Sequence, residues 1–233
     1  MRGPTDMAGA VANPQVTALP QGVGGPLPGE SPVPTLAFGG ASIDGDLYTR
    51  TTDLAHRAPD ALNTLVSYWT DYGLGLFVVL TLVAWWRARH ADSARMAMVL
   101  ATPVVVLAAF VVNDVIKSFV DEQRPCRTLH TVTVAACPAP GDWSFPSNHS
   151  AIAGAAAVAL VLCRRQLART AVPAALLMAA SRVWVGAHYP HDVAVGLAVG
   201  GLVAWPLTPL ARRAAPAVDH LRATRLRPLV AAR

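Results

Sequence analysis

Three short stretches of the chain place cationic, hydroxyl, imidazole and carboxylate side chains at spacings that could act on an anion. They are KSFVDEQRP with Lys117 and Arg124, FPSNHS with Ser147 and His149, and SRVWVGAHYPHD with Arg182, His188 and Asp192. An arginine offers phosphate oxygens a planar fork, and a lysine offers them a point charge. An imidazole can attack or transfer a proton near neutral pH. The three stretches therefore indicate chemistry on an anion such as a phosphate group.

The third stretch predicts a nucleophilic histidine. His188 precedes Pro190, which suits the first position of a helix. Asp192 follows His188 by four residues and falls in the first turn of that helix, so its carboxylate can reach back to the imidazole. A carboxylate on one ring nitrogen fixes the tautomer and leaves the other nitrogen free to attack. His191 is expected to face elsewhere, as a polar residue at a membrane interface.

The second stretch predicts an oxyanion site at a helix start. Pro146 stands just before an apolar run, and Ser147 suits the capping position. Because the first turn of a helix has free backbone N–H groups and the positive end of the helix dipole, Ser147 and the amide of Asn148 could hold an oxyanion there. His149 lies one residue further in, where it could donate or accept a proton.

The first stretch predicts a pair of cations. Lys117 and Arg124 are seven residues apart, which is close to two helical turns, so both could project from one helix face, and Pro125 then ends the helix or turns the chain. Cations at this spacing also occur as interfacial residues whose charged heads reach water, and the pair alone leaves both interpretations open. Asp121 and Glu122, between the two cations, are interpreted as solvated loop charges.

The composition predicts an integral membrane protein. The chain is 53% hydrophobic and 14% charged, with a formal net charge of +5. A soluble domain carries roughly 25% charged residues. The positive charge does not indicate nucleic-acid binding, because the arginines cluster in short stretches between apolar runs, as membrane topology requires. Membrane lipids are thus expected as partners, and the sequence does not define an oligomeric state.

The elements that must position these groups are five apolar runs, which predict an all-α membrane bundle of five to six helices. The runs are Tyr72–Trp86, Met96–Ile116, Ala151–Cys163, Ala168–Val185 and Val193–Leu210. The third run is short, so its helix is expected to begin near Ser147. Residues 44–70 read as an amphipathic helix on the membrane surface or on the bundle. The chain is divided into a disordered Pro/Gly-rich tail (1–43), a membrane domain (44–213) and a basic cytoplasmic tail (214–233).

The arginines predict the orientation of the bundle. Clusters follow the first, third and fifth runs: Arg87, Arg89 and Arg95; Arg164, Arg165 and Arg169; Arg212, Arg213, Arg222, Arg225 and Arg227. Positive charge marks that side as cytoplasmic, so the three polar stretches face outward from a multi-pass protein of the cell membrane. Cys126 and Cys137 flank the outward loop, and either a disulfide or two thiols is compatible with their positions.

Taken in order, the three stretches resemble the signature of the type 2 phosphatidic acid phosphatase superfamily, which also contains the vanadium haloperoxidases. KSFVDEQRP fits Lys-x6-Arg-Pro, and SRVWVGAHYPHD fits Ser-Arg-x5-His-x3-Asp. PSNH fits Pro-Ser-Gly-His, with Asn148 in place of the glycine. The resemblance covers residues 44–213 and implies a membrane lipid-phosphate phosphatase that needs no metal or other cofactor.

The resemblance also implies a role for each matched residue. Phosphate oxygens would be held by Lys117, Arg124, Arg182, Ser147 and the amide of Asn148. His188 would attack phosphorus and form a phosphohistidine, Asp192 would orient His188, and His149 would protonate the leaving group. Water would then release phosphate from His188.

Three alternatives concern the substrate and the class of protein. An outward-facing site suits a polyprenyl diphosphate of the undecaprenyl type, with phosphatidic acid or phosphatidylglycerol phosphate as the nearest alternative. A haloperoxidase would use His188 to bind vanadate, but that group is soluble and this chain has five apolar runs. A non-catalytic lipid-binding or transport protein would not need His149, His188 and Asp192 together.

Overall fold

The computed structural model describes residues 39–232, and over that range the regular structure is entirely helical. The α-helices, in chain order, are α1 (Ala41–Arg57), α2 (Asp60–Tyr72), α3 (Leu74–Ala88), α4 (Ser93–Lys117), α5 (Pro125–Thr128), α6 (Asn148–Cys163), α7 (Ala168–Trp184), α8 (Pro190–Leu210), α9 (Ala215–Arg222) and α10 (Arg227–Val230). The predicted all-α fold class is confirmed.

The five predicted apolar runs correspond to α3, α4, α6, α7 and α8. By length and composition, Ser93–Lys117 and Pro190–Arg222 can each cross a membrane, and α2 with α3 forms a third candidate span that is bent by 52°. The helix α6 is a shorter apolar helix and begins directly after Ser147, as the shortness of its run required.

Residues 44–70, which were predicted as one amphipathic segment, form most of two helices, α1 and α2. The chain breaks between α1 and α2 because Ala58, which precedes Pro59, has an extended conformation (φ −74°, ψ 153°). The ring of a proline disfavours the helical conformation in the residue before it. Since α1 already begins at Ala41, the predicted boundary of the tail at residue 43 is too late, and the remainder of that tail lies outside the described residues.

Small residues bring α6 and α8 into close contact. A Cβ atom on Gly154 of α6 would lie 2.6 Å from the carbonyl oxygen of Leu197, and one on Gly200 of α8 would overlap the carbonyl oxygen of Ala151. Helices inside membranes associate through such small residues because their backbones can then pack directly. This contact fixes the beginning of α6 against the beginning of α8, where two of the polar stretches lie.

The C-terminal segment folds back on the end of the bundle that is opposite to the polar stretches. Val218 of α9 and Val230 of α10 join the apolar core formed by α3, α4, α6 and α7. Arg222 donates a 2.8 Å hydrogen bond to the carbonyl of Ala91, and the indole of Trp85 donates one of 2.9 Å to the carbonyl of Leu229. The described part of the predicted basic tail is therefore packed structure.

Alternating helix directions bring four helix ends together. The helices α4 and α7 end where α6 and α8 begin, and the loop from α5 to α6 covers the same end of the bundle. A disulfide joins Cys126 of α5 to Cys137 in that loop, which resolves the alternative left open by the sequence. The three polar stretches therefore share one end of the protein.

Candidate active site

His188 and Asp192 form a buried pair at the start of α8. Gly186, with φ +85°, turns the chain after α7, and His188 follows it with only 2% of its surface exposed. The Nδ1 atom of His188 lies 3.3 Å from Oδ2 of Asp192. The same oxygen accepts a 2.8 Å bond from the amide of Tyr189 and a hydrogen bond from the hydroxyl of Ser144. The carboxylate is thus fixed on three sides and can hold one ring orientation.

The other ring nitrogen of His188 faces a cation. Its Nε2 atom lies 3.0 Å from Nη1 of Arg124. Because a guanidinium can only donate, Nε2 accepts this bond, and Nδ1 carries the hydrogen of the bond that Asp192 accepts. Burial, together with the charge of Arg124, lowers the pKa of His188 to about 3. The imidazole is therefore neutral, with the lone pair on the nitrogen that the sequence assigned to attack.

The prediction that Lys117 and Arg124 project from one helix face is wrong. The helix α4 ends at Lys117, and Arg124 lies beyond it, directly before α5. Arg124 has an extended conformation (φ −59°, ψ 139°) because it precedes Pro125. The two cations reach the site from different segments of the chain.

Loop atoms hold both cations in place. Arg124 forms a 2.8 Å ion pair with Asp142 and donates to the carbonyls of Asp142 (3.0 Å) and Ala187 (2.8 Å). Burial opposes ionisation of Asp142, but the hydrogen bond and charge of Arg124 outweigh it and lower its pKa. Lys117 donates a 3.0 Å bond to the carbonyl of Trp143. No pattern in the sequence indicated Asp142 or Ser144, because both lie in an irregular loop.

The beginning of α6 supplies Ser147 and Asn148. Ser147 is fully buried at the N-cap position, but its hydroxyl makes no capping bond and instead accepts one of 3.2 Å from Ser150. The side chain of Asn148 is held by α4, where it accepts a 2.6 Å bond from the Asn113 amide and lies 3.5 Å from Asp114. The first backbone N–H groups of α6 have no partner within the helix, so they are available to an anion at this helix end.

His149 and Arg182 complete the set of predicted residues. His149 lies in the first turn of α6, within range of the charges of Arg182, Arg124 and Lys117. Arg182 lies in the last turn of α7, and its buried Nε atom has no hydrogen-bond partner among the described residues. A buried donor without a partner is costly, so this guanidinium is suited to receive an anionic ligand.

Two residues have surroundings that differ from the predictions. Glu122, interpreted as a solvated loop charge, is fully buried, and burial raises its pKa while the hydrogen bond with His191 opposes that change. His191, expected to face elsewhere, lies between Glu122 and Asp44 of α1. Asp44 is far from His191 in the sequence, so no local pattern indicated their contact. Glu122 lies two residues before Arg124, and this short interval was the one local indication that Glu122 lies near the site.

The arrangement is suited to phosphoryl transfer. Three cations and free backbone N–H groups can stabilise the charge on the phosphoryl oxygens, which is the main catalytic requirement of this reaction. A neutral histidine that is held by a carboxylate can attack, and His149, within range of the charges of Arg182, Arg124 and Lys117, is a candidate for proton exchange. All eight predicted residues lie at this end of the bundle, on the loops and helix ends described above.

Comparisons with known proteins show which family and which proteins this chain is similar to. Residues 97–215 match the family model described as the PAP2 superfamily. Undecaprenyl-diphosphatase BcrC of Bacillus subtilis is 30% identical over 144 residues, which are 61% of this chain and 71% of that protein. Decaprenylphosphoryl-5-phosphoribose phosphatase of Mycobacterium tuberculosis is 39% identical over 100 residues, 41% of this chain and 52% of that protein.

A lipid A phosphatase and one solved structure are also similar to this chain. Lipid A 1-phosphatase of Rhizobium etli is 52% identical over 60 residues, 25% of each chain. The crystal structure of LpxE from Aquifex aeolicus superposes with a TM-score of 0.50 at 22% identity, covering 72% of this chain and 94% of that one. The likeness to LpxE is one of fold.

Proposed function

This chain belongs to the PAP2 superfamily and is a membrane lipid phosphatase, and we propose that it hydrolyses a polyprenyl diphosphate through a phosphohistidine intermediate on His188. The observation that carries the proposal is the neutral imidazole of His188, held at Nδ1 by Asp192 and faced at Nε2 by Arg124. Only such a ring has a lone pair directed at the place where cations would hold a phosphoryl group.

Binding begins with an exchange of partners at Arg124. Its Nη1 atom now donates to His188, so a phosphoryl oxygen that accepts this donor frees the Nε2 lone pair for attack. Arg182 and Lys117 supply further positive charge, and the first amides of α6 supply neutral donors. The ion pair with Asp142 keeps the guanidinium oriented while its other nitrogen changes partner.

The reaction then proceeds in two displacements. Nε2 of His188 attacks the terminal phosphorus, and the bond from phosphorus to the bridging oxygen breaks as His149 gives that oxygen a proton. Asp192 accepts the hydrogen bond of the positively charged ring. Water next attacks phosphorus and gives a proton to His149, and the phosphorus–nitrogen bond breaks to release phosphate and restore neutral His188.

The choice of a polyprenyl diphosphate is supported by the names of two relatives, which act on undecaprenyl diphosphate and on a decaprenylphosphoryl compound. An outward-facing site in the plasma membrane is supported by two features of the chain. Clusters of arginine lie at the opposite end of the bundle, as expected for the cytoplasmic side. The disulfide lies at the end that carries the site, and disulfides persist in oxidising compartments.

The test is phosphate release by the purified protein in detergent, with chelator present, from undecaprenyl diphosphate, phosphatidic acid and phosphatidylglycerol phosphate. We expect the diphosphate to have the highest kcat/KM, and His188→Ala to release no phosphate from any of the three. A higher kcat/KM for phosphatidic acid or phosphatidylglycerol phosphate would show that the proposed substrate is wrong and that the preferred lipid takes its place. Full activity of His188→Ala would refute the phosphohistidine.

A further inference from the structure

The ring of His191 is surrounded by carboxylates from three segments of the chain. Its Nδ1 atom lies 2.9 Å from Oδ1 of Asp44, on α1. Its Nε2 atom lies 3.1 and 3.3 Å from the two oxygens of Glu122, in the loop after α4. The same Nε2 atom lies 3.4 Å from Oδ1 of Asp192, the neighbouring residue on α8. No other residue of the site has so many acidic neighbours in the described structure.

These contacts favour a positively charged ring. A neutral imidazole has one N–H group, whereas here both ring nitrogens face carboxylate oxygens at hydrogen-bond distance. Only an imidazolium can donate to Asp44 and Glu122 at the same time. The side chains of Glu122 and Asp192 are fully buried, so a neighbouring positive charge offsets much of the cost of burying their negative charges.

The free oxygen of Asp192 connects this cluster with the nucleophile. Its Oδ2 atom is bound by His188, Tyr189 and Ser144, while Oδ1 is buried without a hydrogen-bond partner in the described residues. The cationic Nε2 of His191 faces that unpartnered oxygen. The ionised form of Asp192, which holds His188, is therefore stabilised from the opposite side.

We propose that His191 is a positioning residue: held as an imidazolium by Asp44 and Glu122, it keeps the Asp192 carboxylate ionised and in place, and Asp192 in turn orients His188. The inference rests on the proposed function, since it concerns the same nucleophile. His191 contacts no reacting atom in this scheme and acts only through Asp192.

The fold is built to hold His191 in this place. The helix α1 departs from helical geometry at Asp44 (φ −146°, ψ 25°), and the amide of His191 donates a 2.7 Å bond to the same carboxylate. Any side chain at Gly40 would collide with Glu122 and with the ring of Tyr189. That ring stacks on His191 at 5.4 Å with an interplanar angle of 18°. The close approach of α1 thus supplies one of the carboxylates, although α1 lies outside residues 97–215 of the family match.

The first test measures the pH dependence of kcat and KM on a lipid phosphate that the wild type hydrolyses, for His191→Gln and His191→Lys. We expect His191→Gln to lower kcat roughly 10- to 100-fold, as loss of an outer partner of a functional group does, with little change in KM. The acid limb of its profile should move to higher pH, because protons compete better for Asp192 without the cation. His191→Lys restores the charge and should return the limb toward the wild-type position.

Two control variants separate positioning from folding. His56→Gln makes the same change at an exposed histidine of α1 and should leave the profile unchanged. Tyr48→Phe removes the 3.0 Å bond from α1 to the carbonyl of Gly186 without touching the charges around His191. An unchanged acid limb in His191→Gln, or an equal shift in Tyr48→Phe, would overturn the inference.

The second test needs no activity. Nitrogen NMR of ring-labelled histidine, with the His191 signal identified by its loss in His191→Gln, should show both ring nitrogens protonated at about pH 7.5. A neutral His191 ring would overturn the inference even if no lipid phosphate were hydrolysed, whereas absent hydrolysis with a charged ring would refute only the proposed function. The ligating atoms of Glu122, His191 and Asp192 also lie within 4.8 Å of one another, as in a metal site. Loss of activity in chelator, followed by recovery on addition of Zn²⁺, would indicate that this cluster binds a metal ion, and would overturn the inference that it holds an imidazolium.

Discussion

The Nη1 atom of Arg124 lies 3.0 Å from Nε2 of His188, so a cation that is proposed to bind phosphate covers the nitrogen that is proposed to attack phosphorus. The contact keeps the ring in the Nδ1–H tautomer. The guanidinium of Arg124 makes three contacts at once: it binds the carboxylate of Asp142, the carbonyl of Ala187 and the imidazole of His188. A cation without a planar fork cannot make these contacts together.

Replacing Arg124 with lysine should therefore lower kcat/KM by about 100-fold, because one or more oriented donors are lost while the charge remains. The measurement is steady-state phosphate release across substrate concentrations. Arg127→Lys, at a nearby arginine that donates to the carbonyl of Pro138, is the matched control and should stay near the wild type. Equal losses of kcat/KM in both variants would show that the planar guanidinium of Arg124 makes no specific contribution to catalysis.

The two histidines should respond differently to the leaving group. His149→Asn should lose on the order of 100- to 10,000-fold in kcat on a lipid phosphate whose leaving alkoxide needs a proton. The loss should be much smaller on p-nitrophenyl phosphate, because that leaving group departs without protonation. His188→Ala should be inactive on both compounds. If His149→Asn lost the same factor on both, its assignment as the general acid would be wrong.

A methyl group at Gly200 should disturb the site from a distance. The added carbon would overlap the carbonyl of Ala151 and push α8 from α6, which costs about 1–3 kcal/mol for overpacking. We expect a lower Tm in Gly200→Ala and reduced activity, because these two helices carry Ser147 and Asp192. Gly201→Ala is the matched control, since its Cβ would lie an ordinary 3.4 Å from Val158. Similar Tm values for the two variants would contradict this account of the packing.

The buried neutral state of His188 predicts how stability depends on pH. Burial lowers the pKa of this ring to about 3, while in the unfolded chain it binds a proton below about 6.5. The unfolded state therefore binds more protons between these values, so the contribution of His188 is fully present above pH 6.5 and is lost as the pH falls toward 3. The Tm of the wild type should fall more steeply than that of His188→Asn from about pH 7 to 4.5. Parallel curves would show that His188 does not stay neutral in the folded protein.

Reduction of the disulfide should destabilise the loop that holds Arg124. The bridge between Cys126 and Cys137 closes a short loop, and its removal should cost roughly 2–3 kcal/mol. We expect dithiothreitol to lower the Tm and to raise KM, because the loop carries Asp142. In Cys126→Ser/Cys137→Ser the reductant should have no further effect. A wild type with the same Tm with and without reductant would mean that the bridge contributes nothing to stability.

Much of the fold followed from local patterns in the sequence. The five apolar runs matched five helices, and the short third run required α6 to begin beside Ser147, because helix starts and apolar length are properties of neighbouring residues. The spacing of His188 and Asp192 anticipated their contact for the same reason, since four residues across a helix start bring two side chains together.

The surroundings of Arg124, Glu122 and His191 followed only from the tertiary structure. The seven-residue spacing of Lys117 and Arg124 suggested a shared helix face, but α4 ends at Lys117. Arg124 contacts Asp142 and His188 instead. The partner of His191 on α1, Asp44, lies 147 positions away in the chain. Which charges meet in a buried cluster depends on how distant segments pack, and residue spacing alone contains no information about that packing. The sequence by itself determined the helices and indicated the residues of the candidate site, whereas the packing of α1 and the loops decided their electrostatic partners.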